Sequence, residues 1–313
     1  MNGLPINSEL YKIAVIDIGT NTILMSTAII TKEKIDITGD YHKLARLGEN
    51  VDKTGQINNE AIERSVKILL EYKDICAKEN IQRIIVTGTS AMRDAANRGE
   101  VLSALGKSIG SEINIIDGKK EAELSFAGAA RDSAPSLVID VGGGSTEIIS
   151  GREKVFSNMI SLQIGAVRIT ERFFSSLPPG SDEYNTAGEY IRKEIRKTSG
   201  WHIDRKIYSV GGTATTIAHA LSGKDIYDRE AVHGQEVYYN DLSGLLDVFL
   251  SLTPDEITRK FGMHPKRADV ISAGTLIMKE LMEMYDKRSF AVSANGLRYG
   301  LLKQMQNNLF NKV

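Results

Sequence analysis

Gly142, Gly143, Gly144, Ser145 and Thr146 follow one another between two apolar, β-branched runs. Glycines let a backbone turn sharply and bring successive N–H groups into one space, which makes a concave anion site. Ser145 and Thr146 add hydroxyl donors. Asp140 ends the preceding run. A carboxylate repels phosphate, so its use in such a site is to hold Mg2+ or a water beside the anion. A plain β-hairpin with a flexible turn accounts for one such motif about as well. The motif occurs twice, however. The stretch IAVIDIGTNTI at 13–23 matches LVIDVGGGSTE at 137–147, with Asp17 against Asp140 and Gly19 against Gly142, both offset by 123 residues. Two copies, each with an aspartate two residues before the glycine, favour the phosphate site, and the first copy places Thr20 and Asn21 in its turn. A third glycine motif, VGGTATT at 210–216, joins an apolar run to a helical one and includes Gly212 and Thr213. N–H groups at a helix start also attract phosphate. The motif lacks the Gly-Lys-Ser/Thr ending of a Walker loop and the G-x-G-x-x-G spacing of a dinucleotide site, so tight strand–helix packing is an equal reading.

These residues need elements to hold them. Each repeat reads as strand, tight turn, strand, and its use twice points to two similar domains that face each other. Helical periods run over 57–80, with Asn58 or Asn59 as cap, over 90–109 with a break near Gly99, and over 118–130. Others run over 165–174, 186–199, from 213 onward, and over 297–309. Short apolar strands fall at 83–87, 112–116 and 206–210. This is an α/β chain whose sheets are covered by helices. The boundary is expected near 130–136, giving a first domain at 1–130 and a second at 131–300, with a helix at 301–313 packing back on the first.

At 313 residues, 42% apolar and 25% charged, the chain has room for two ordinary folded domains. The formal net charge of -1 announces no nucleic acid partner, so any charge that binds a polyanion must be local to a cleft. The single cysteine, Cys76, lies in a helical pattern with no disulfide partner and reads as a buried or idle thiol. The start of the sequence lacks a basic segment followed by an apolar core, and no apolar run approaches about 20 residues. The expectation is a protein of the reducing cytoplasm that binds no membrane. The five histidines show no metal-ligand spacing, and His233 reads as structural or near a nucleotide ribose. Trp201 and most methionines read as packing. Ser145 has no adjacent histidine base, which argues against covalent catalysis.

Nine segments together resemble the exopolyphosphatase and guanosine pentaphosphate phosphohydrolase (Ppx/GppA) family, within the actin-like, sugar-kinase-like superfamily. They are AVIDIGTNTILM, ARLGENVDKTGQI, VTGTSAMRDA, IDGKKEAELSFAG, LVIDVGGGSTEII, SLQIGAVRITERF, SVGGTATTIAH, the His233–Gly234 pair and NGLRYGLL, in family order over nearly the whole chain. The resemblance implies two actin-like (ribonuclease H-like) domains around a cleft. It implies hydrolysis of terminal phosphoanhydride bonds of polyphosphate or guanosine pentaphosphate with Mg2+ or Mn2+, and Asp17, Asp140 and Glu147 near the metal. It makes Asn21, Gly143, Gly144, Ser145 and Thr146 phosphate contacts, Arg93 an arginine facing the cleft, and Glu121 the catalytic base. From spacing alone Glu121 is a solvated helix-start glutamate, and the resemblance reverses that reading. The family's usual Gly-x-Glu-Glu-Ala-Arg becomes Gly118-Lys119-Lys120-Glu121-Ala122-Glu123 here, so Lys120 and Glu123 invert the flanking charges. Longer relatives carry an added helical C-terminal region that this sequence lacks. Arg46 and Arg267 are candidates for a polyanion track, with surface ion pairing the plainer reading. Two other functions stay open: a kinase of the same superfamily, and a module that senses polyphosphate or guanosine tetraphosphate without turnover. A homodimer is left open as well.

Overall fold

The computed structural model describes residues 10–129, 135–152, 155–201 and 206–310. Its first half runs β1 (Tyr11–Ile18), β2 (Thr22–Ile30), β3 (Ile35–Leu44), α1 (Val51–Thr54), α2 (Asn59–Lys78), β4 (Arg83–Gly88), α3 (Ser90–Asp94), α4 (Arg98–Ile109), β5 (Ile113–Ile115) and α5 (Gly118–Ala129). The second half begins β6 (Ser136–Val141), β7 (Thr146–Arg152), β8 (Val155–Leu162), α6 (Ala166–Phe173), α7 (Ser181–Ile195), β9 (Lys206–Val210), α8 (Gly211–Ser222) and α9 (Arg229–Val232). It ends β10 (Glu236–Tyr238), α10 (Tyr239–Ser251), α11 (Pro254–Phe261), α12 (Pro265–Ala268), α13 (Ile271–Met284), β11 (Ser289–Val292) and α14 (Leu297–Phe310).

The strands form two mixed sheets, ordered β3-β2-β1-β4-β5 and β10-β11-β9-β6-β7-β8. In each, a central strand pairs antiparallel with its hairpin partner on one side and parallel with a later strand on the other. The second sheet thus repeats the first, β6-β7-β8 standing for β1-β2-β3. Register places the repeated aspartates alike: Asp17 pairs with Leu24 and Thr87, and Asp140 with Glu147 and Val210.

β1 is apolar on both faces because both are covered. Ala14, Ile16 and Ile18 lie in one core with Leu69, Tyr72 and Leu105 of α2 and α4. Tyr11, Ile13 and Val15 lie in another with Leu124 of α5 and Leu297, Leu301 and Met305 of α14. The opposite side of α5 offers Ala122 and Phe126 to Val138, Ile149 and Tyr208 of the second sheet. One helix therefore serves both sheets. α5 and α14 meet at glycines: a Cβ on Gly300 would overlap the Leu124 carbonyl, and one on Gly128 the Gly296 carbonyl.

Several expectations shift. The break in 90–109 falls at residues 95–97, not at Gly99, because the Asn97 amide is held by the Ile57 backbone at 3.0 and 2.9 Å. α7 starts at Ser181, five residues earlier than the pattern suggested, since the Glu183 carboxylate accepts from the Gly180 N–H. Asn58 caps α2 as expected, accepting from the Ala61 N–H at 2.8 Å. Most of the expected boundary, residues 130–134, and the chain end at 311–313 lie outside the described residues. Among the described residues, no helix is long and apolar enough to cross a membrane.

Candidate active site

The β1–β2 and β6–β7 turns are built alike. Gly19 N–H donates to the Thr22 carbonyl at 2.9 Å, and Gly142 N–H to the Ser145 carbonyl at 3.0 Å. They also face each other closely: a Cβ on Gly143 would lie 2.9 Å from Thr20 Cβ, and one on Gly144 2.6 Å from Ser90 Oγ. The start of α6 draws the second turn's carbonyls away from the cleft. Ala166 N–H donates to Gly142 O, Val167 and Arg168 N–H to Gly143 O, and Arg168 Nε to Gly144 O at 2.7 Å. In a planar trans peptide the C=O of one residue and the N–H of the next point opposite ways. The N–H groups of Gly143, Gly144 and Ser145 are therefore turned from α6, and none donates a hydrogen bond among the described residues. The first turn repeats this: Gly48 N–H holds Thr20 O, while Ala45 and Arg46 N–H hold Asn21 O. The two turns form opposite walls of one cleft, which also includes Gly212, Thr213, Arg229, Arg267 and Arg298.

Not every expected phosphate contact reaches this cleft. Thr146 is fully buried, absent from the cleft wall, and its hydroxyl donates to the Ile164 carbonyl at 2.6 Å. Asn21 lines the cleft, yet its Nδ2 donates across to the Lys266 carbonyl at 3.4 Å. Thr213 lines it too, with its hydroxyl on the Val141 carbonyl at 2.9 Å. Gly211, at φ 82, leads into α8 beside the Asp140 carboxylate, where any Cβ would collide with Oδ1. Ser145 is buried on the cleft wall, and its hydroxyl bonds Glu147.

The carboxylates share one environment. Burial pushes Asp17 up to about 7, opposed by Arg298 and reinforced by Asp140. Burial also raises Asp140 against the Ser125 hydroxyl, which donates to it at 2.8 Å. Glu147 is pushed to about 7 by burial and by Asp140, despite a 2.6 Å bond from the Ser161 hydroxyl. Asp17 and Asp140 line the cleft, whereas Glu147 stands behind it, 1% exposed. Among the described residues no three acidic, histidine or cysteine side chains form a metal cage. Asp17 Oδ1 is nevertheless buried without a partner. Asp17 and Asp140 fit a hard cation that takes its remaining ligands from water and phosphate oxygens, the habit of Mg2+.

Glu121 enters the cleft from the first turn of α5. Burial and the nearby Glu147 raise it well above the ordinary glutamate value, against the pull of Arg93. Arg93, expected to face the cleft, backs Glu121 instead: Nη1 donates to Glu121 Oε2 at 2.5 Å and to the Ile116 carbonyl at 3.0 Å. Its Nη2 is buried without a partner among the described residues. Lys120 and Glu123 pair with each other at 3.3 Å, so the inverted flanking charges satisfy one another.

Apart from Arg267, the far wall went unread in the sequence. Asp40 accepts from Arg298 Nη1 and from Ser26 Oγ at 3.1 Å, with His42 Nε2 at 3.3 Å and Arg229 Nε at 3.7 Å. Tyr227 stands between His42 and His219, ring centroids 6.2 and 6.0 Å away. Arg267 lies against Gly212 and makes no ion pair within 4 Å among the described residues. Arg46 is tied to Asp269 at 2.5 Å, an ion pair rather than a track residue. His233 Nδ1 accepts from Ala294 N–H at 3.0 Å, a structural bond. Cys76 is buried against Met25 and pushed up to about 11 by that burial, which leaves it inert.

Known proteins share this arrangement of chain. A model described as the Ppx/GppA phosphatase family matches residues 28–309. Exopolyphosphatase 2 of Mycobacterium tuberculosis is 34% identical over 298 residues, covering 90% of this chain and 92% of that one. The guanosine-5'-triphosphate,3'-diphosphate pyrophosphatase of Pseudoalteromonas atlantica is 26% identical over 310 residues, 96% of this chain and 60% of that longer one. The crystal structure of the Aquifex aeolicus Ppx/GppA family member superposes with a TM-score of 0.78 at 31% identity, covering 96% and 99%. Opposed glycine turns, buried carboxylates and a family match across nearly the whole chain agree, and the chain belongs to the Ppx/GppA phosphatase family.

Proposed function

We propose that this protein removes the terminal phosphate of inorganic polyphosphate or guanosine pentaphosphate by water attack assisted by Glu121, with Mg2+ or Mn2+ as cofactor. The observation that carries the reading is one cleft lined by two glycine turns, the second with three N–H groups that donate no hydrogen bond among the described residues, and by the Glu121 carboxylate. Phosphoryl transfer needs charge neutralised on the phosphoryl oxygens and a water lined up opposite the leaving group. The N–H groups of Gly143, Gly144 and Ser145 supply fixed donors for those oxygens. Arg267, which also lines the cleft and makes no ion pair among the described residues, adds a cation for an anion to meet. A divalent cation between Asp17 and Asp140 would neutralise further charge on the phosphate. Glu121 orients the water and takes its proton, and Arg93 holds that carboxylate in place. We propose as well that residues 1–130 and 131–300 act as two domains that close on the substrate, with residues 301–313 belonging to the first.

Phosphate release from polyphosphate, guanosine pentaphosphate and ATP, assayed side by side with and without chelator, tests the reading. Release of phosphate from the first two, abolished by chelator, supports it. Full activity in excess chelator sinks the metal, ADP made with an acceptor points to a kinase, and binding without turnover points to a sensor.

A further inference from the structure

The second phosphate turn is not held by its own half alone. Arg168, in the first turn of α6, donates through Nε to the Gly144 carbonyl at 2.7 Å. Its other nitrogens reach across to the first half. Nη1 bonds Asp52, and Nη2 bonds Asp94 at 2.6 Å, with Gln163 of its own half at 3.2 Å. The Arg168 side chain is 13% exposed and Asp52 15%, so the Gly144 and Asp52 attachments are part-buried, while the Asp94 attachment lies at the surface. Arg172 joins from the next turn of α6, with Nε on Asp52 at 2.9 Å. Against the cost of burial, these two arginines hold the Asp52 carboxyl below its ordinary value. Glu171 adds a third tie, accepting from the Asn50 N–H at 3.0 Å.

Geometry makes the Gly144 carbonyl the critical attachment. The Gly142 and Gly143 carbonyls are fixed by backbone N–H groups at the start of α6. Among the described residues, the Gly144 carbonyl is fixed by the Arg168 side chain. The N–H opposite that carbonyl is Ser145's, one of the three donors turned away from α6 that make no hydrogen bond among the described residues. Turning the Gly144–Ser145 peptide would swing a donor away and an acceptor in, which inverts the sign of that contact with phosphate. Gly165 leaves the strap close to the turn, since a Cβ there would lie 2.5 Å from the Gly143 carbonyl carbon.

We infer that Arg168 is a positioning residue that sets the phosphate-facing direction of the Gly144–Ser145 peptide and ties that direction to closure of the two halves through Asp52 and Asp94. The planar fork of arginine suits three partners at fixed angles, and a lysine at this place has a single nitrogen to share among them. When the halves part, the guanidinium loses the two carboxylates that fix its plane. The turn is then free to rotate, so tight phosphate binding belongs to the closed arrangement.

The inference rests on the phosphate-binding reading of this turn, and a double-mutant cycle separates the two. Arg168→Ala, Arg168→Lys, Asp94→Asn and Arg168→Ala with Asp94→Asn are compared in the whole protein. Asp94 is chosen because Arg172 shares Asp52. The readouts are kcat and KM on tripolyphosphate, affinity for inorganic phosphate by calorimetry, and energy transfer between dyes on the two halves. Arg168→Ala should lower kcat/KM by about 100-fold, the low end of the 10²–10³ that losing one aimed donor costs, since the donor is loosened rather than removed. Asp94→Asn should lower it by about 3- to 10-fold and shift energy transfer toward separated halves. On the Arg168→Ala background Asp94→Asn should add nothing, the signature of coupled residues. Multiplying effects, or an Arg168→Ala protein with wild-type kcat/KM, overturn the inference. If Arg168→Ala does not fold, Arg168→Lys with Asp94→Asn carries the same cycle. A wild type that turns over no phosphoanhydride defeats the functional reading instead. The coupling then stands or falls on phosphate affinity and energy transfer, which must both drop in Arg168→Ala and not drop further in the double variant.

Discussion

The Arg93–Glu121 pair divides labour inside one ion pair. Glu121 lines the cleft and Arg93 stands behind it, so in the proposed reaction one would meet the water and the other would hold the first in place. Glu121→Gln keeps the shape and loses the base, and kcat should fall by roughly 10²–10⁴ with substrate still bound. Wild-type turnover in that variant would move the base elsewhere. Arg93→Ala should lower kcat while leaving KM nearly unchanged, because the guanidinium does not reach the cleft wall. A tenfold rise in KM at constant kcat would show that Arg93 touches substrate. A different carboxylate, Asp40, should contribute to the acid limb of stability. Burial alone would raise Asp40, but His42 and the Arg298 guanidinium hold it well below its ordinary 3.8, with Arg229 and Tyr227 also facing it. A depressed folded value means that the stabilisation is present above the ordinary carboxylate range and is lost as pH falls through and below it. Melting curves from about pH 7 to about pH 2.5 should therefore show a steeper acid loss for wild type than for Asp40→Asn, which is already less stable at neutral pH. Parallel curves would remove Asp40 from the account.

Among the elements, α5 has little room to change its packing. It carries Glu121 at its start, presents one side to each sheet, and meets α14 at Gly128 and Gly300. Gly300→Ala places a Cβ on the Leu124 carbonyl, which is backbone and cannot swing aside. Overpacking of this kind costs about 1–3 kcal/mol, so the variant should melt several degrees lower. An unchanged melting temperature would mean that the helices can slide. The motifs on which α5 acts were legible in the sequence because their signals are local. A glycine two residues past an aspartate, between β-branched runs, fixes strand, turn and strand within eleven residues, and the offset of 123 residues exposes the repeat. The losses have the opposite character. β3 is polar and half exposed at the sheet edge, so it shows little apolar period. The helix break at 95–97 depends on Asn97 meeting Ile57, and the wall of Asp40, Tyr227, Arg229 and Arg298 gathers residues from three separate stretches. Thr146 looked like Ser145 in sequence, but alternation along β7 turned its hydroxyl to Ile164. Tertiary placement decides such residues, and no local pattern encodes it.

At the scale of the molecule, the decisive quantity is how much positive charge a long polyanion would find. Every unit of polyphosphate carries charge, so holding many units between successive cleavages needs an extended basic track. This chain has a formal net charge of -1, so its cations are offset overall. The cleft wall offers Arg229, Arg267 and Arg298, but Arg229 and Arg298 both already face Asp40. Arg46, Arg168 and Arg172, which a track along the junction of the halves would need, are committed to Asp269, Asp52 and Asp94. Of these arginines, Arg267 is the one without an ion pair among the described residues, and with the N–H groups of the two turns it suits the terminal few phosphates. Fewer contacts mean faster release, since affinity among related complexes is set mostly by dissociation. The protein should therefore act distributively, with tripolyphosphate or guanosine pentaphosphate used at least as efficiently as very long chains. Sampling a partial digest of long polyphosphate on a gel reads this directly. Distributive cleavage shortens all chains together and leaves a ladder of intermediates. Full-length polymer persisting beside free phosphate, with nothing between them, would mean that the enzyme stays on one chain to its end and that a basic track exists beyond the cleft.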